Sequence, residues 1–193
     1  MQMIPIFNIN ETEALPSGTH FDLLKSEQCD EILENFLLDK PVDAKIDKRV
    51  KDNRKRSTKV HPIPNTDKSK WIYDLIADRV GRYNQFGYKF HVSGMYSDLQ
   101  LLEYGEGDHY GWHMDLGSGE AALRKISVVI QLSKPEDYEG GDLVLNTGTE
   151  FTVPRDRGHI VVFPSYVLHQ VTPVTKGKRY TLVGWVQGHD RFK

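Results

Sequence analysis

His113-Met114-Asp115, with His169 coming 54 residues after the aspartate, is the group of side chains best suited to chemistry in this chain. Two histidines and one carboxylate can occupy one face of an octahedral metal ion. The opposite face then stays open for a chelating co-substrate and dioxygen. Ten residues after His169 comes Arg179-Tyr180-Thr181. On a strand, an arginine and a hydroxyl two residues apart share one face. Such a pair can grip a carboxylate through charge-assisted bonds, and the bidentate fork of arginine suits this better than lysine. Alone, a His-x-Asp pair is a common accident, and a histidine in an apolar strand is usually a satisfied core residue. All four positions in this order make a metal site beside a carboxylate clamp the better reading.

These side chains need strands to carry them, and the second half of the chain supplies the pattern. From Tyr88 onward apolar residues recur with period two between Gly- and Pro-marked turns. Strands are expected near 88–92, 97–104, 110–115, 125–132, 142–147, 150–153, 159–163, 167–174 and 179–187. So many short strands in so few residues predict a closed or two-sheet antiparallel structure, a jelly roll. The first half reads helical. Ser26 is a candidate cap for a helix to about Asp39, with Cys29, Ile32, Leu33, Phe36 and Leu37 as its apolar stripe and Pro41 ending it. A second helix is expected from near Asp67, with Trp71, Leu75, Ile76, Val80 and Tyr83 along one side. Between them, residues 41–66 read as a long loop or two short edge elements. The fold class is therefore α+β, mainly β, with N-terminal helices bracing a jelly roll. One domain over 1–193 is expected, with helical support at about 20–86 and a jelly-roll core at about 88–190.

Composition sets outer limits. The 193 residues are 38% hydrophobic and 27% charged, ordinary for a globular protein with a substantial core. The formal net charge of −2 gives the whole molecule no attraction to nucleic acid or to an anionic membrane. Residues 45–59 differ locally, with eight Lys or Arg against two Asp. A solvated loop, a substrate contact and a nucleic-acid contact all remain open for this stretch, although no aromatics are interleaved with its charges. The single cysteine, Cys29, excludes an intrachain disulfide and suggests a cytoplasmic protein. No secretory signal is recognisable, and no apolar run approaches the ~20 residues of a membrane span.

Residues 104–115 (YGEGDHYGWHMD) resemble the Y-x-x-G-x-x-Y-x-x-H-x-D segment of prolyl 4-hydroxylase-type oxygenases. Residues 132–143 (LSKPEDYEGGDL) are similar to the L-S-x-P-x-D-Y-x-G-G-x-L stretch of bacterial PKHD-type hydroxylases. Residues 168–177 (LHQVTPVTKG) match their L-H-x-V-T-P-V-x-x-G. The resemblance covers roughly residues 88–190 and implies a double-stranded β-helix. It implies Fe(II) held by His113, Asp115 and His169, and 2-oxoglutarate chelating that iron. The distal carboxylate of 2-oxoglutarate would pair with Arg179 and accept a hydrogen bond from Thr181. Dioxygen would be the other co-substrate, and ascorbate is a further candidate cofactor. Gln131 is placed facing the co-substrate where the family often has an aromatic, which leaves the second donor to the distal carboxylate open. Trp185 would wall the pocket, and Val171 and Leu143 would line it, although each could be plain core. Tyr104, Tyr110 and Trp112 flank the metal motif, with Tyr104 the one assigned to cofactor contact. In related hydroxylases the basic region can fold over substrate, with an arginine and serine such as Arg56-Ser57 near its end.

The implied reaction is oxidative decarboxylation of 2-oxoglutarate to succinate and CO2, coupled to hydroxylation of an aliphatic C–H. Asp115 favours hydroxylation over halogenation, since related halogenases have Gly or Ala there. A prolyl or other residue of a peptide or protein is the leading substrate. Hydroxylation of a free amino acid or small metabolite is an alternative, as is oxidative demethylation of nucleic acid. The non-enzymatic rival is a cupin-like metal- or ligand-binding barrel, for which the Arg179-x-Thr181 clamp would have no use. Gly140-Gly141 is expected at a tight turn or close backbone approach. His109 is excluded as a ligand by its distance along the strand, ~13 Å from His113.

Overall fold

Alternation with period two produces two facing antiparallel sheets, and the outer face of one of them is covered by helices. The computed structural model describes residues 19–37, 41–43 and 56–192. Strands run in the order β1 (Thr19–Asp22), β2 (Val42–Asp43), β3 (Arg56–Ser57), β4 (Lys59–Ile63), β5 (Leu99–Tyr104), β6 (His109–His113) and β7 (Arg124–Gln131). They continue as β8 (Tyr138–Gly140), β9 (Leu143–Asn146), β10 (Glu150–Thr152), β11 (His159–Pro164), β12 (Leu168–Val171), β13 (Val174–Gly177) and β14 (Arg179–Gln187). Helices α1 (Ser26–Phe36) and α2 (Lys70–Phe86) precede β5. The larger sheet has the order β1-β11-β7-β14-β5-β4-β2 and the smaller β10-β9-β12-β6-β3, while β13 pairs with β8. From β5 onward the chain alternates between the two sheets: β5, β7, β11 and β14 in the larger, β6, β9, β10 and β12 in the smaller. That winding is a double-stranded β-helix.

The same alternation divides the interior in two. On β14, Leu182 and Val186 join Leu99 and Leu101 of β5, Ile126 and Ile130 of β7, and Ile32, Ile72 and Ile76 of the helices in one apolar layer. The intervening positions of those strands, among them Tyr104, Val129, Arg179, Thr181, Val183 and Trp185, face the space between the sheets. A second apolar cluster, including Leu102, Leu143, Leu145, Val161, Phe163 and Val171, closes that space. Gly140 and Gly141 take φ of 70° and 61°, the left-handed region open to glycine. A Cβ on Gly140 would lie 2.2 Å from Pro173 O, and one on Gly141 would lie 2.8 Å from Val174 Cγ2 and 3.1 Å from Arg179 Cδ. The close approach expected there is present, and it seats the clamp arginine.

Several boundaries differ from expectation. Helix α1 begins at Ser26 itself, so Lys25 is the capping position; its N–H donates to Gln28 Oε1 at 2.9 Å. It ends at Phe36, where Leu37 turns extended, and the expected end at Asp39 lies outside the described residues. Helix α2 starts at Lys70 because residues 66–69 form a preceding turn, in which the Thr66 N–H donates to Ser69 Oγ at 2.9 Å. Its buried face is Ile72, Tyr73, Ile76, Val80 and Asn84, with Trp71, Leu75 and Tyr83 at the rim. Tyr73 sets that rotation: its hydroxyl donates to Ile63 O at 2.7 Å and accepts from the Leu99 N–H at 2.9 Å. No strand forms at 88–92. There the Asn84 side chain takes both backbone groups of Phe90, at 2.9 Å each, and Lys89 has a φ of 56°. The segment expected as one strand at 167–174 is two, β12 and β13, in different sheets. Strands β1 and β8 were not foreseen. The loop 41–66 does contain short edge elements, β2 and β3, but also β4, which pairs along all of its length with β5.

Candidate active site

The register of β12 against β6 makes His169 the direct partner of His113. Their rings lie 4.1 Å apart between centroids. Asp115 follows β6 by two residues, in a segment pinned from several sides. The Leu116 N–H donates to Ser165 O at 2.8 Å, and Arg124 Nη1 donates to Asp115 O at 3.2 Å. The carboxylate oxygens then stand 3.8 Å from His113 Nε2 and 3.7 Å from His169 Nε2. One ligand atom from each of the three residues falls within 4.8 Å of the others.

Each histidine is held with one nitrogen committed. His113 Nδ1 lies 2.8 Å from Gly111 O, and His169 Nδ1 lies 2.9 Å from Val167 O. A carbonyl can only accept, so Nδ1 carries the proton and the Nε2 lone pair points into the site, as a metal ligand requires. Burial and the neighbouring His169 lower the pKa of His113 to about 3, which keeps it neutral. Burial works against the Asp115 carboxylate, but the two histidines and hydrogen bonds from Ser127 and Trp185 outweigh it and hold its pKa below the usual range. Ser127 Oγ donates to Asp115 Oδ2 at 2.6 Å and lies 3.1 Å from Ser165 Oγ.

All four expected catalytic residues, His113, Asp115, His169 and Arg179, line one cavity of about 190 Å³ that opens to solvent. Thr181, Tyr104, Trp185, Val171 and Leu143 line it as well. Arg179 is 3% exposed, and its Nε has no hydrogen-bond partner among the described residues. Its guanidinium sits 5.5 Å from the Tyr104 ring, the residue it faces across β5 and β14. A buried guanidinium left with an open donor is costly unless a ligand completes it. Gln131 pairs with Thr181 in register but turns elsewhere: its Nε2 donates to Tyr138 Oη at 3.1 Å and Ser133 O at 3.3 Å. It lines a much smaller neighbouring space, of about 20 Å³, that shares Arg179 with the main cavity. Trp112 is 39% exposed and does not line the cavity, whereas Tyr110 does, its ring stacked 3.4 Å from that of His113. His109 stands apart from the triad, with Nδ1 3.1 Å from Gly107 O.

Some residues of the site carry no legible sequence signal. Ser127, Ser165 and Arg124 all support the Asp115 segment, yet Arg124 is nine positions away along the chain and Ser165 is fifty. Only the pairing of β7 with β11 and β14 brings them together.

Residues 99–187 match the model of the 2OG-Fe(II) oxygenase superfamily. A PKHD-type hydroxylase from Hyphomonas neptunium is 48% identical over 89 residues, covering 43% of this chain and 39% of that protein. One from Stenotrophomonas maltophilia is 42% identical over 98 residues, covering 48% and 44%. This chain thus spans less than half the length of these relatives. Among solved structures, a prolyl hydroxylase from Trichoplax adhaerens in complex with a hypoxia inducible factor peptide fragment superimposes with a TM-score of 0.75 at 19% identity. It covers 89% of this chain and 83% of that one. A Pseudomonas putida prolyl-4-hydroxylase gives 0.68 at 21% identity, covering 89% and 92%. At those identities the structures establish the fold. The matched segment is similar to the 2OG-Fe(II) oxygenase superfamily and, over less than half of their length, to PKHD-type hydroxylases. The cofactors of that family are Fe(II), 2-oxoglutarate and dioxygen, and the residues fit them. Two oriented imidazoles and a carboxylate offer three ligands, and the open Arg179 donor offers a carboxylate partner in the same cavity.

Proposed function

We propose that this protein is an Fe(II)- and 2-oxoglutarate-dependent dioxygenase that hydroxylates an aliphatic C–H, with a prolyl or other residue of a peptide or protein as substrate. The observation that carries this reading is the sharing of one cavity by the His113–Asp115–His169 cluster and the unpartnered Arg179. When bound, iron would supply the chemistry by which dioxygen gives one oxygen atom to 2-oxoglutarate, which decarboxylates to succinate and CO2, and the other to the C–H bond of the substrate. Everything else falls to the chain.

His113 and His169 present their Nε2 atoms to the site, and Asp115 contributes the negative charge. Ser127 keeps one Asp115 oxygen occupied and so sets the orientation of the other. Arg179 receives the distal carboxylate of the co-substrate, and Thr181, on the same face two residues on, donates a further hydrogen bond. Gln131 is tied to Tyr138 and Ser133 and stands as a support beside Arg179 rather than as a second donor. Tyr104 walls the guanidinium, while Val171, Leu143 and Trp185 exclude water from around the cofactors. The described residues and the matched segment fit one catalytic domain. A peptide substrate is favoured by the Trichoplax adhaerens neighbour, whose complex holds a peptide fragment. No described helix is long and apolar enough to cross a membrane, and a cytoplasmic setting is inferred from the lone cysteine.

The test is succinate formation from 2-oxoglutarate under air, with Fe(II) and ascorbate present, across a panel of proline-containing peptides and free amino acids. Turnover stimulated by one class of substrate and abolished by chelating the iron is the expected result. Absence of turnover, together with failure of the metallated protein to bind 2-oxoglutarate, would return the cupin-like binding barrel to the front.

A further inference from the structure

The cavity carries more positive charge than the assigned cofactors need. Its charged lining residues are Arg56, Arg124 and Arg179 against Asp115 alone, besides the two histidines. A divalent iron and a doubly charged 2-oxoglutarate cancel one another, and Arg179 and Asp115 are already assigned to them. Two arginines are left over.

Both are placed one aromatic ring from a metal-ligating residue. The Arg56 guanidinium lies 4.6 Å over the Tyr110 ring, which in turn stacks on His113. The Arg124 guanidinium lies 3.7 Å over the Trp185 ring and uses Nη1 on Asp115 O. In each, Nε is buried without a hydrogen-bond partner among the described residues. Stacking fixes a guanidinium in place but satisfies none of its in-plane donors. Among the described residues no acidic side chain forms an ion pair with either one. An arginine held rigid with its donors open is prepared for a planar anion.

From this geometry we infer that the primary substrate carries a carboxylate, which Arg56 and Arg124 receive at the mouth of the cavity while the C–H to be hydroxylated faces the metal site. The inference rests on the proposed hydroxylase reading and narrows it to acidic substrates. A carboxylate can come from an acidic residue near the target in a polypeptide, or from the α-carboxylate of a free amino acid. Arg56 lies near the end of the basic stretch 45–59, on β3 at the edge of the smaller sheet, where a polypeptide could run past it.

The experiment uses the full chain loaded with redox-inert Zn(II) and saturated with 2-oxoglutarate. Calorimetry measures binding of two matched pairs: a proline-containing peptide with an aspartate beside the proline against its asparagine twin, and L-proline against L-prolinamide. The carboxylate member of one pair is expected to bind about tenfold more tightly, the order set by one charge-assisted hydrogen bond. Whichever pair responds identifies the source of the carboxylate. Arg56→Gln should remove the preference, and Arg56→Lys should restore part of it. Arg124→Gln should remove it too, but Arg56 is the cleaner site because Arg124 also braces Asp115. Equal binding within both pairs, no binding by either, or a preference that survives Arg56→Gln overturns the inference. The anaerobic absorption band of wild-type protein with Fe(II) and 2-oxoglutarate is recorded alongside. Its absence would sink the hydroxylase reading itself, whereas its presence without any carboxylate preference would sink only the acidic-substrate inference.

Discussion

The two faces of the seven-stranded sheet are built from the same strands and do opposite work. Toward the helices, β5, β7 and β14 present Leu99, Leu101, Ile126, Ile130 and Leu182, each no more than 1% exposed. Toward the smaller sheet the same strands present Ser127, Arg179, Thr181 and Trp185, with buried donors at Arg124 and Arg179 that find no partner. The helix side satisfies itself by excluding water from apolar surface. The cavity side is left incomplete, and a protein retains unpartnered buried cations where a ligand will complete them. Stability and binding should therefore separate cleanly by face.

Substitutions can break that separation if it is wrong. The largest effect is expected at Ile130→Ala on the helix side, which should cost about 2–5 kcal/mol of stability through lost transfer energy and the cavity left behind. Urea unfolding would measure it, and the folded fraction should still bind 2-oxoglutarate as the wild type does. Arg179→Leu should behave in reverse. Losing a charge-assisted pair should weaken 2-oxoglutarate by about 30-fold, roughly 2 kcal/mol. The urea midpoint should hold or rise, because a buried unpaired guanidinium has gone. If Arg179→Leu unfolds the protein instead, the cavity side is a structural core after all. Ser127→Ala should weaken metal binding by about tenfold without unfolding, the usual scale for removing a group that orients a ligand.

A separate expectation, on stability rather than on binding, is a slope with pH in the metal-free protein. Burial holds His113 at about 3, below the 6.5 of the unfolded chain, and Asp115 is lowered as well. Between those values the unfolded chain binds more protons than the folded one. Stability is then fully present above 6.5 and is lost as pH falls toward 3. Urea midpoints of chelator-treated protein at pH 7, 5.5 and 4.5 would trace the slope, and saturating metal, which binds only the deprotonated ligands, should leave it at least as steep.

The site was legible in the sequence to the extent that it is local. His113 and Asp115 are two residues apart, and Arg179 and Thr181 lie on one strand, so strand periodicity alone groups each pair. His169 could be added because its apolar surroundings read as a strand, although only the β12–β6 register places it opposite His113. Arg124, Ser165 and Tyr138 were not legible, since their roles arise from strands that meet across long loops. Gln131 illustrates the limit: it pairs with Thr181 across β7 and β14, but the Tyr138 hydroxyl draws its amide away from the main cavity. Tertiary contacts likewise decided the helical half. Tyr73 rotated α2 by one position from its expected stripe, and Asn84 capped Phe90 where alternation suggested a strand. Residues 44–55, most of the basic stretch, lie outside the described residues.

The central claim is that one cavity holds both a three-ligand iron site and a carboxylate clamp. Anaerobic titration with Fe(II) and then 2-oxoglutarate tests it directly, by following the visible iron-to-keto charge-transfer absorption in wild type, Asp115→Ala and Arg179→Leu. A band that requires both additions, is missing in Asp115→Ala and needs more 2-oxoglutarate in Arg179→Leu is the expected result. A wild-type protein that binds iron and stays folded but develops no band would contradict the claim.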